Sequence, residues 1–421
     1  MKLKEYSSYL IAFCATIVRY YDYALFGLSA SIISKNFMPT GNNDGDQMLI
    51  FFAIFSIAVA ARPLGSLFFG KIGDMVGRVT SVKLAAAIAV ISTSLIAIIP
   101  SFDSIGWLAV ILLTICRMLF LMSLAGEIDA IKIYVAEKIG SKKRHFAAGI
   151  VSFSSQIGVL FASIMHHVTI SMEEITWLWK ANFLLGGAMG VLILMMRDYF
   201  QESQEFLNSK ATSTSEALSS NIITIIGNDK LKFIIATMIN GMLGGGYHFI
   251  VIFLGNFAAN VTNVISPHQA SSGNIILISL YGIGCLVSGY IADKVKMIVQ
   301  TTTALMCSII CILIMEFILQ ANIFAWPIHY MLAFLTPFYM IPCTIKAQSL
   351  FATRVRMRMF SLSHSIGSML FSSTTPFICM LLWRWTELFT VVLAYFLLQL
   401  TILLLALLYI AKQDYKSMFE T

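Results

Sequence analysis

The sequence predicts an all-α membrane protein with twelve transmembrane helices arranged in two pseudo-symmetric halves of six. Three observations lead to this expectation. Hydrophobic residues make up 58% of the 421 residues and charged residues only 12%, about half the charged fraction of an average soluble domain. Twelve apolar segments follow one another along the chain. The basic residues concentrate on one of the two sides that these segments would define, with 21 on that side and three on the other.

The twelve apolar segments account for the predicted helices in chain order. Each can supply the roughly 20 apolar residues that cross a bilayer as a helix. They are too long for the strands of a membrane barrel and lack the alternation of polar and apolar residues that such strands show, so helices are the expected spanning structure. The segments occupy residues 8–34, 47–70, 79–100, 105–137, 145–168, 177–197, 231–255, 271–292, 298–320, 324–346, 358–382 and 387–411.

The distribution of Lys and Arg sets the expected orientation. With the N-terminus in the cytoplasm, the outer loops and helix ends contain only Lys35, Lys180 and Arg384. Because cytoplasmic loops of membrane proteins are enriched in basic residues, both termini are expected in the cytoplasm. The net charge of +7 is therefore interpreted as a topology signal, and no nucleic-acid partner is expected.

A polar stretch divides the chain near its middle. It runs from Asp198 to Lys230 and has the composition of a linker around residues 209–215. We therefore expect an N-terminal six-helix half (1–197), a cytoplasmic central loop (198–230) and a C-terminal six-helix half (231–421). The halves share a weak repeat, because Gly-x-x-x-Asp occurs at residues 70–74 and again at 289–293. Six-helix repeats of this kind are typical of transporters.

The sequence contains no motif of an enzyme, a metal site or a nucleotide site. All seven cysteines lie in apolar segments, without the spacing of a metal or redox motif, so they are expected to pack as small apolar residues. The P-loop pattern of ATP-driven proteins is missing as well. We expect no enzymatic activity, no metal and no cofactor, and an ion gradient, most simply of protons, as the source of energy.

Several motifs together point to one family. Residues 70–78 read Gly-x-x-x-Asp-x-x-Gly-Arg between the second and third segments. The other motifs are Tyr20–Gly27, Ala61–Gly65, Arg117, Gly126–Glu127, Ala136–Glu137, Glu202–Phe206, Phe351–Arg356 and Pro376. The combination resembles the major facilitator superfamily, within it the metabolite:proton symporter group, and most of all the proline/betaine transporters. The resemblance implies the twelve-helix fold and transport by alternating access.

The chain departs from the resembled pattern at several positions. Related proteins usually carry Glu at the position of Arg19 and small residues at the positions of Asp129 and Lys132. They carry a Tyr-Asn pair where this chain has His364 and Ser365. These changes affect the expected substrate more than the expected fold.

Charged residues within the first two segments are candidates for a substrate or proton pathway, because a charge in a membrane is costly unless it is paired or hydrated. Arg19 and Asp22 are three residues apart in the first helix, which lines the central cavity in the resembled superfamily. They could also form a purely structural ion pair. Arg62 precedes Pro63, so we expect it to mark a kink in the second helix and to have a structural role.

The fourth segment contains a second group of charges. For Arg117, the resemblance implies participation in proton coupling. Glu127 is a candidate proton carrier, and it lies about 15 Å further along a helix than Arg117. Asp129 belongs to the same candidate pathway, although a local ion pair with Lys132, three residues on, is the favoured explanation for it.

Aromatic and histidine residues complete the candidate pathway. Tyr23 and Tyr247, with Tyr20, could surround a quaternary ammonium group by cation–π contacts, although ordinary packing also explains aromatic residues here. His248 and His364 titrate near neutral pH when unperturbed, and each could instead be a satisfied structural histidine.

The motif loops imply a gate on the cytoplasmic side. Asp74 would act as a latch that caps a helix or pairs with a basic residue when the gate is closed, and Asp293 would be its degenerate copy in the second half. The full set of expected gate residues is Gly70, Asp74, Gly77, Arg78, Glu137, Arg144, Asp293, Arg354 and Arg356.

The expected function is proton-coupled symport of a small zwitterion or organic acid, similar to proline or betaine, by alternating access. The alternative is a proton-independent exchanger or facilitator of a carboxylate metabolite. The expected partners are the small-molecule substrate, protons and the lipid bilayer. A monomer in a bacterial inner membrane, crossing it many times, is the expected form.

Overall fold

The computed structural model of the protein describes residues 2–39, 44–75, 78–125, 143–172, 174–196, 226–227, 229–319, 323–351 and 356–419. The described residues are almost entirely helical. In the first half of the chain the helices are α1 (Lys2–Leu28), α2 (Ala30–Phe37), α3 (Asp44–Val59), α4 (Ala61–Met75), α5 (Arg78–Ile98), α6 (Phe102–Ile105), α7 (Trp107–Leu124), α8 (Arg144–Ser171) and α9 (Leu178–Met196).

The second half of the chain continues with eight α-helices and two π-helical segments. The α-helices are α10 (Lys230–Tyr247), α11 (Leu254–Asn260), α12 (Pro267–Ala292), α13 (Met297–Leu319), α14 (Trp326–Ser349), α15 (Arg356–Gly367), α16 (Thr375–Thr386) and α17 (Phe389–Phe419). The first π-helical segment, His248–Phe253, joins α10 to α11, and the second, Ser368–Ser372, precedes α16.

These helices form the predicted set of membrane spans. Within the described residues, ten helical stretches are long and apolar enough to cross a membrane. The α1–α2 pair and α5 occupy the remaining two predicted positions. Large apolar side chains cover the outer surface, as shown by Phe317 and Ile98, which are 77% and 68% exposed. Such a surface requires lipid around it, so the chain is a multi-pass membrane protein and the predicted fold class is confirmed.

Within the described residues, four of the spans are interrupted. The first breaks at Ser29 and the second at Ala60, just before the predicted kink at Arg62–Pro63. The seventh and eleventh spans each contain one of the π-helical segments. Insertions of this kind occur mostly at functional sites, because they turn side chains and free backbone groups that a regular helix would use internally. We therefore expect a functional site in the middle of the bundle, where the two π-helical segments lie.

The packing of α1 against α8 depends on a close approach at Gly158. A Cβ atom at this position would lie 2.1 Å from the carbonyl oxygen of Ile17 in α1. Small residues at helix contacts let two backbones approach closely in a membrane. Because α1 carries the charged candidate residues, this contact also fixes their position within the first half.

We expect Gly158→Ala to destabilise the protein by about 2 kcal/mol, because the added methyl group forces two backbones apart. The matched control is Gly255→Ala in α11, where the nearest atoms to a new Cβ lie 3.8 Å away on Asn274. The control should keep or slightly raise stability. Thermal unfolding of both purified variants in detergent measures the difference, and equal midpoints would contradict the assigned packing.

Candidate functional site

Within the described residues, charged and titratable side chains are buried in the middle of the bundle. Arg19, Asp22, Arg62, Arg117 and His248 are each no more than 6% exposed. They lie on α1, α4, α7 and the first π-helical segment, where spans of the first half meet the seventh and eleventh spans. Burial of this kind is costly without hydrogen bonds or counter-charges, so the partners of each group show what the site can do.

The carboxylate of Asp22 points into the first half, between α1, α5 and α9. Its Oδ2 accepts a long hydrogen bond of 3.4 Å from Thr93, whereas Oδ1 has no hydrogen-bond partner within the described structure. A Cβ at Gly186 would lie 2.0 Å from Oδ1, so only glycine in α9 leaves room for this oxygen. Arg19, one turn earlier in α1, is the nearest basic residue in the same helix.

The guanidinium of Arg117 is held by aromatic ring faces and by one carbonyl. Its Nη2 donates to the backbone oxygen of Tyr23 at 3.0 Å. Its Cζ lies 4.4–5.8 Å from the ring centroids of Phe26, Phe120, Tyr23 and Phe55. The rings that could have surrounded a substrate ammonium at Tyr23 therefore already face a cation of the chain itself.

A short hydrogen-bond chain joins the two halves at Tyr23. The Tyr23 hydroxyl lies 2.7 Å from Nε2 of His248. The other ring nitrogen, Nδ1, lies 2.8 Å from the carbonyl oxygen of Gly244 and 2.9 Å from Oγ of Ser372. A carbonyl oxygen only accepts, so the proton of the neutral ring is assigned to Nδ1, and Nε2 accepts from the tyrosine. Both π-helical segments contribute to this chain.

Arg62 makes a second contact between the halves that the sequence analysis did not foresee. Its Nη1 donates to Oγ of Ser368 in the second π-helical segment at 2.9 Å. Nearby, Oγ of Ser56 donates to the carbonyl oxygen of Ser373 at 2.8 Å. The available signal was a charge inside an apolar segment. The adjacent Pro63 offered a purely structural explanation, and the contact with Ser368 could not be read from it.

Of the remaining predicted pathway residues, Tyr247 and His364 are described by the structure. Tyr247 is buried and its ring contacts the rings of His248 and Tyr281, with centroids 5.9 and 5.5 Å apart. His364 is half-buried and stacks on Phe360 of its own helix, 5.9 Å away, and is not brought to Tyr23 by any of these contacts. Glu127 and Asp129 lie outside the described residues.

At the face of the bundle where α1 begins, Asp293 contacts the start of α8. Its carboxylate accepts from the backbone N–H groups of His145 and Phe146 at 3.0 Å each, and Oδ1 lies 2.9 Å from Nδ1 of His145. The N-cap residue of α8, Lys143, makes no side-chain cap. A carboxylate from the second half therefore caps a helix of the first half, which is a favourable place for negative charge.

For the other predicted gate residues, the structure gives the position in a helix. Arg144 is the first residue of α8, Gly70 and Asp74 lie near the end of α4, and Arg78 and Arg356 begin α5 and α15. Gly77, Glu137 and Arg354 lie outside the described residues.

The opposite face of the bundle also joins the two halves. Arg384 at the end of α16 forms an ion pair with Asp46 in α3. His167 in α8 lies 2.8 Å from Oγ of Ser271 in α12, and its ring centroid is 4.8 Å from that of His268. With the Asp293 contact at the other face, described contacts join the two halves at both faces of the bundle.

The chain is similar to known transporters in sequence and in structure. The family described as sugar (and other) transporters matches residues 8–224. The proline/betaine transporter of Escherichia coli K12 is 35% identical over 193 residues, which is 45% of this chain but only 38% of that protein. The citrate-proton symporter of Klebsiella pneumoniae is 25% identical over 380 residues, covering 87% of this chain and 83% of its own length.

Two further comparisons extend over most of the chain. A putative proline/betaine transporter of Staphylococcus aureus MSSA476 is 26% identical over 373 residues, 86% of this chain and 78% of that protein. The crystal structure of a D-xylose-proton symporter superposes with a TM-score of 0.73, covering 96% of both chains at 16% identity. At that identity the structural likeness shows the fold alone.

Proposed function

We propose that this chain, which belongs to the family of sugar (and other) transporters, couples the movement of protons to uptake of a small zwitterion or organic acid. The relatives named for proline/betaine and citrate-proton transport support this substrate class. The resemblance to the major facilitator superfamily, which was inferred from motifs, agrees with the family match.

The observation that carries the proposal is the buried carboxylate of Asp22. One of its oxygens lacks a hydrogen-bond partner in the described structure and the other has only a long one. A carboxylate that is so poorly satisfied in a membrane gains from binding a proton, because protonation removes the charge that burial disfavours. Asp22 is therefore the site where a proton is taken up and released.

The coupling step follows from the position of Asp22 in α1. The next residue, Tyr23, joins the first half to His248 of the second half, and its carbonyl oxygen holds Arg117. A change of charge at Asp22 alters the field on α1 at the point where the halves touch. Proton binding would thus bias the halves between their two arrangements, as alternating access requires.

The orientation belongs to the same proposal. The excess of basic residues on one side supports cytoplasmic termini, and the bacterial relatives support an inner-membrane location. Asp293 then lies at the cytoplasmic face and the Asp46–Arg384 pair at the outer face. A single chain contains both halves of the pathway, so a monomer is sufficient for transport.

Uptake into liposomes that contain the purified protein tests this function. Labelled proline, glycine betaine and citrate are offered with an inward proton gradient of two pH units. One proton per solute can then drive about a hundredfold accumulation, because each pH unit is equivalent to about 1.4 kcal/mol. We expect accumulation that a protonophore abolishes. Uptake that only equilibrates, with or without the gradient, would contradict proton coupling and would support an exchanger or facilitator.

A further inference from the structure

We propose that Arg62 receives a carboxylate group of the substrate at the contact between the two halves, with the Ser368 hydroxyl as a second donor. This inference rests on the proposed transport function and assigns its substrate-recognition site. Arg62 lies on α4 of the first half and Ser368 in the π-helical segment of the eleventh span, so the site needs both halves.

The donors of Arg62 are only partly used. The side chain is 6% exposed, Nη1 donates to Ser368, and Nε has no hydrogen-bond partner within the described residues. A guanidinium has five N–H donors in a fixed planar arrangement. The described structure shows no ion pair to this guanidinium. A buried cation with spare donors matches a carboxylate, which can accept two parallel hydrogen bonds from it.

The surroundings of Arg62 favour an anion. Arg117 lies nearby, holding the carbonyl of Tyr23, and His248 adds a ring that accepts from the Tyr23 hydroxyl. The carboxylate of Asp22 points away from this contact, towards Thr93 and Gly186 in the first half. In the buried middle of the contact between the halves, the described charges beside Arg62 are therefore positive, and an anionic group would lower the cost of burying them.

The hydroxyl groups beside Arg62 complete a set of donors. Ser368 already contacts the guanidinium, and Ser372, one turn later, contacts His248. Both belong to the π-helical segment, so one segment supplies the hydroxyl that contacts Arg62 of the first half and the hydroxyl that contacts His248 of the second half. A carboxylate between Arg62 and these serines would replace the direct Arg62–Ser368 hydrogen bond. The substrate would thereby become part of the link between the halves that alternates during transport.

Equilibrium binding to the purified protein in detergent tests this site without any gradient. The probes are three pairs: proline and prolinamide, glycine betaine and choline, and citrate and its trimethyl ester. Each is scored by the ligand-dependent rise of the unfolding temperature. We expect at least one carboxylate, but not its partner, to stabilise the wild-type protein. Arg62→Gln should lose this response, and Arg62→Lys should bind about tenfold more weakly because it keeps the charge without the planar fork.

The control variant is Lys180→Gln, which removes a positive charge beside Trp179 at the start of α9 and should respond as the wild type does. If Arg62→Gln does not fold, Arg62→Lys and Ser368→Ala test the site in its place. We expect Ser368→Ala to weaken carboxylate binding severalfold. Three results would overturn the proposal: unchanged binding in these variants, equal binding of the carboxylate-free partners, or no response to any carboxylate. Because binding is read without transport, a failure of proton coupling remains separate from a failure of this site.

Discussion

Replacing Asp22 by Asn is expected to abolish proton-driven accumulation while leaving exchange of solute across the membrane intact. Asn has the shape of Asp but cannot take up and release a proton. It fits the space opposite Gly186, where any larger residue in α9 would collide with Oδ1. With an inward gradient of two pH units, the accumulation ratio should fall from about a hundred to about one.

Two measurements on the same liposomes separate coupling from folding. Gradient-driven uptake reports the proton step, and exchange of internal for external label at equal pH reports the movement of the loaded protein. The matched control is Glu316→Gln, which neutralises another acid within a predicted span, in α13, and should keep both activities. Normal accumulation by Asp22→Asn would move the proton site elsewhere, with Glu127 as the next candidate.

Hydropathy and charge were sufficient to predict the fold. The twelve spans and the bilayer-facing surface follow from the length of the apolar segments, because a helix is the spanning structure that satisfies its own backbone. The interruptions inside the spans could not be predicted. A π-helical segment such as His248–Phe253 is a rare insertion into a helix, and its apolar residues give no sign of it in the hydropathy pattern.

Part of the candidate site could be proposed from the sequence. Asp22, Tyr23 and His248 were named as candidates because charged and amphipathic groups in apolar segments are expensive to bury, and the structure places them in the buried middle of the bundle. Arg62 was given only a structural role, because sequence alone does not show which face of a span touches the other half. For Asp293, the latch prediction named the acid and gave a helix cap as one of its two forms, but it did not identify the helix. The partners in the structure are the backbone N–H groups of His145 and Phe146 and the His145 ring. Every residue other than proline has a backbone N–H group, so the residue types of a motif do not indicate which of these groups donates.

Replacing Asp293 by Ala is expected to open the face of the bundle where α1 begins. The carboxylate is the one described group that caps the start of α8 from the second half, and it accepts two backbone N–H groups there. Loss of the carboxylate leaves the positive end of the helix dipole, at the N-terminus of α8, without a negative charge beside it. Charge-assisted hydrogen bonds of this kind contribute about 1.5–3 kcal/mol each, so the equilibrium between closed and open forms should shift about a hundredfold or more.

The native Cys285 provides the measurement for this shift. It lies two turns before Asp293 in α12, buried where α12 packs against α8. In Asp293→Ala, a water-soluble maleimide should modify Cys285 much faster than in the wild type, as followed by mass spectrometry. The neighbouring variant Lys294→Ala removes a charge whose described side-chain contact is with Tyr290 of α12, and it should leave the rate unchanged. If Cys285 stays protected in Asp293→Ala, the contact with α8 is a helix cap without a gating role, and the halves are held together mainly by their apolar packing.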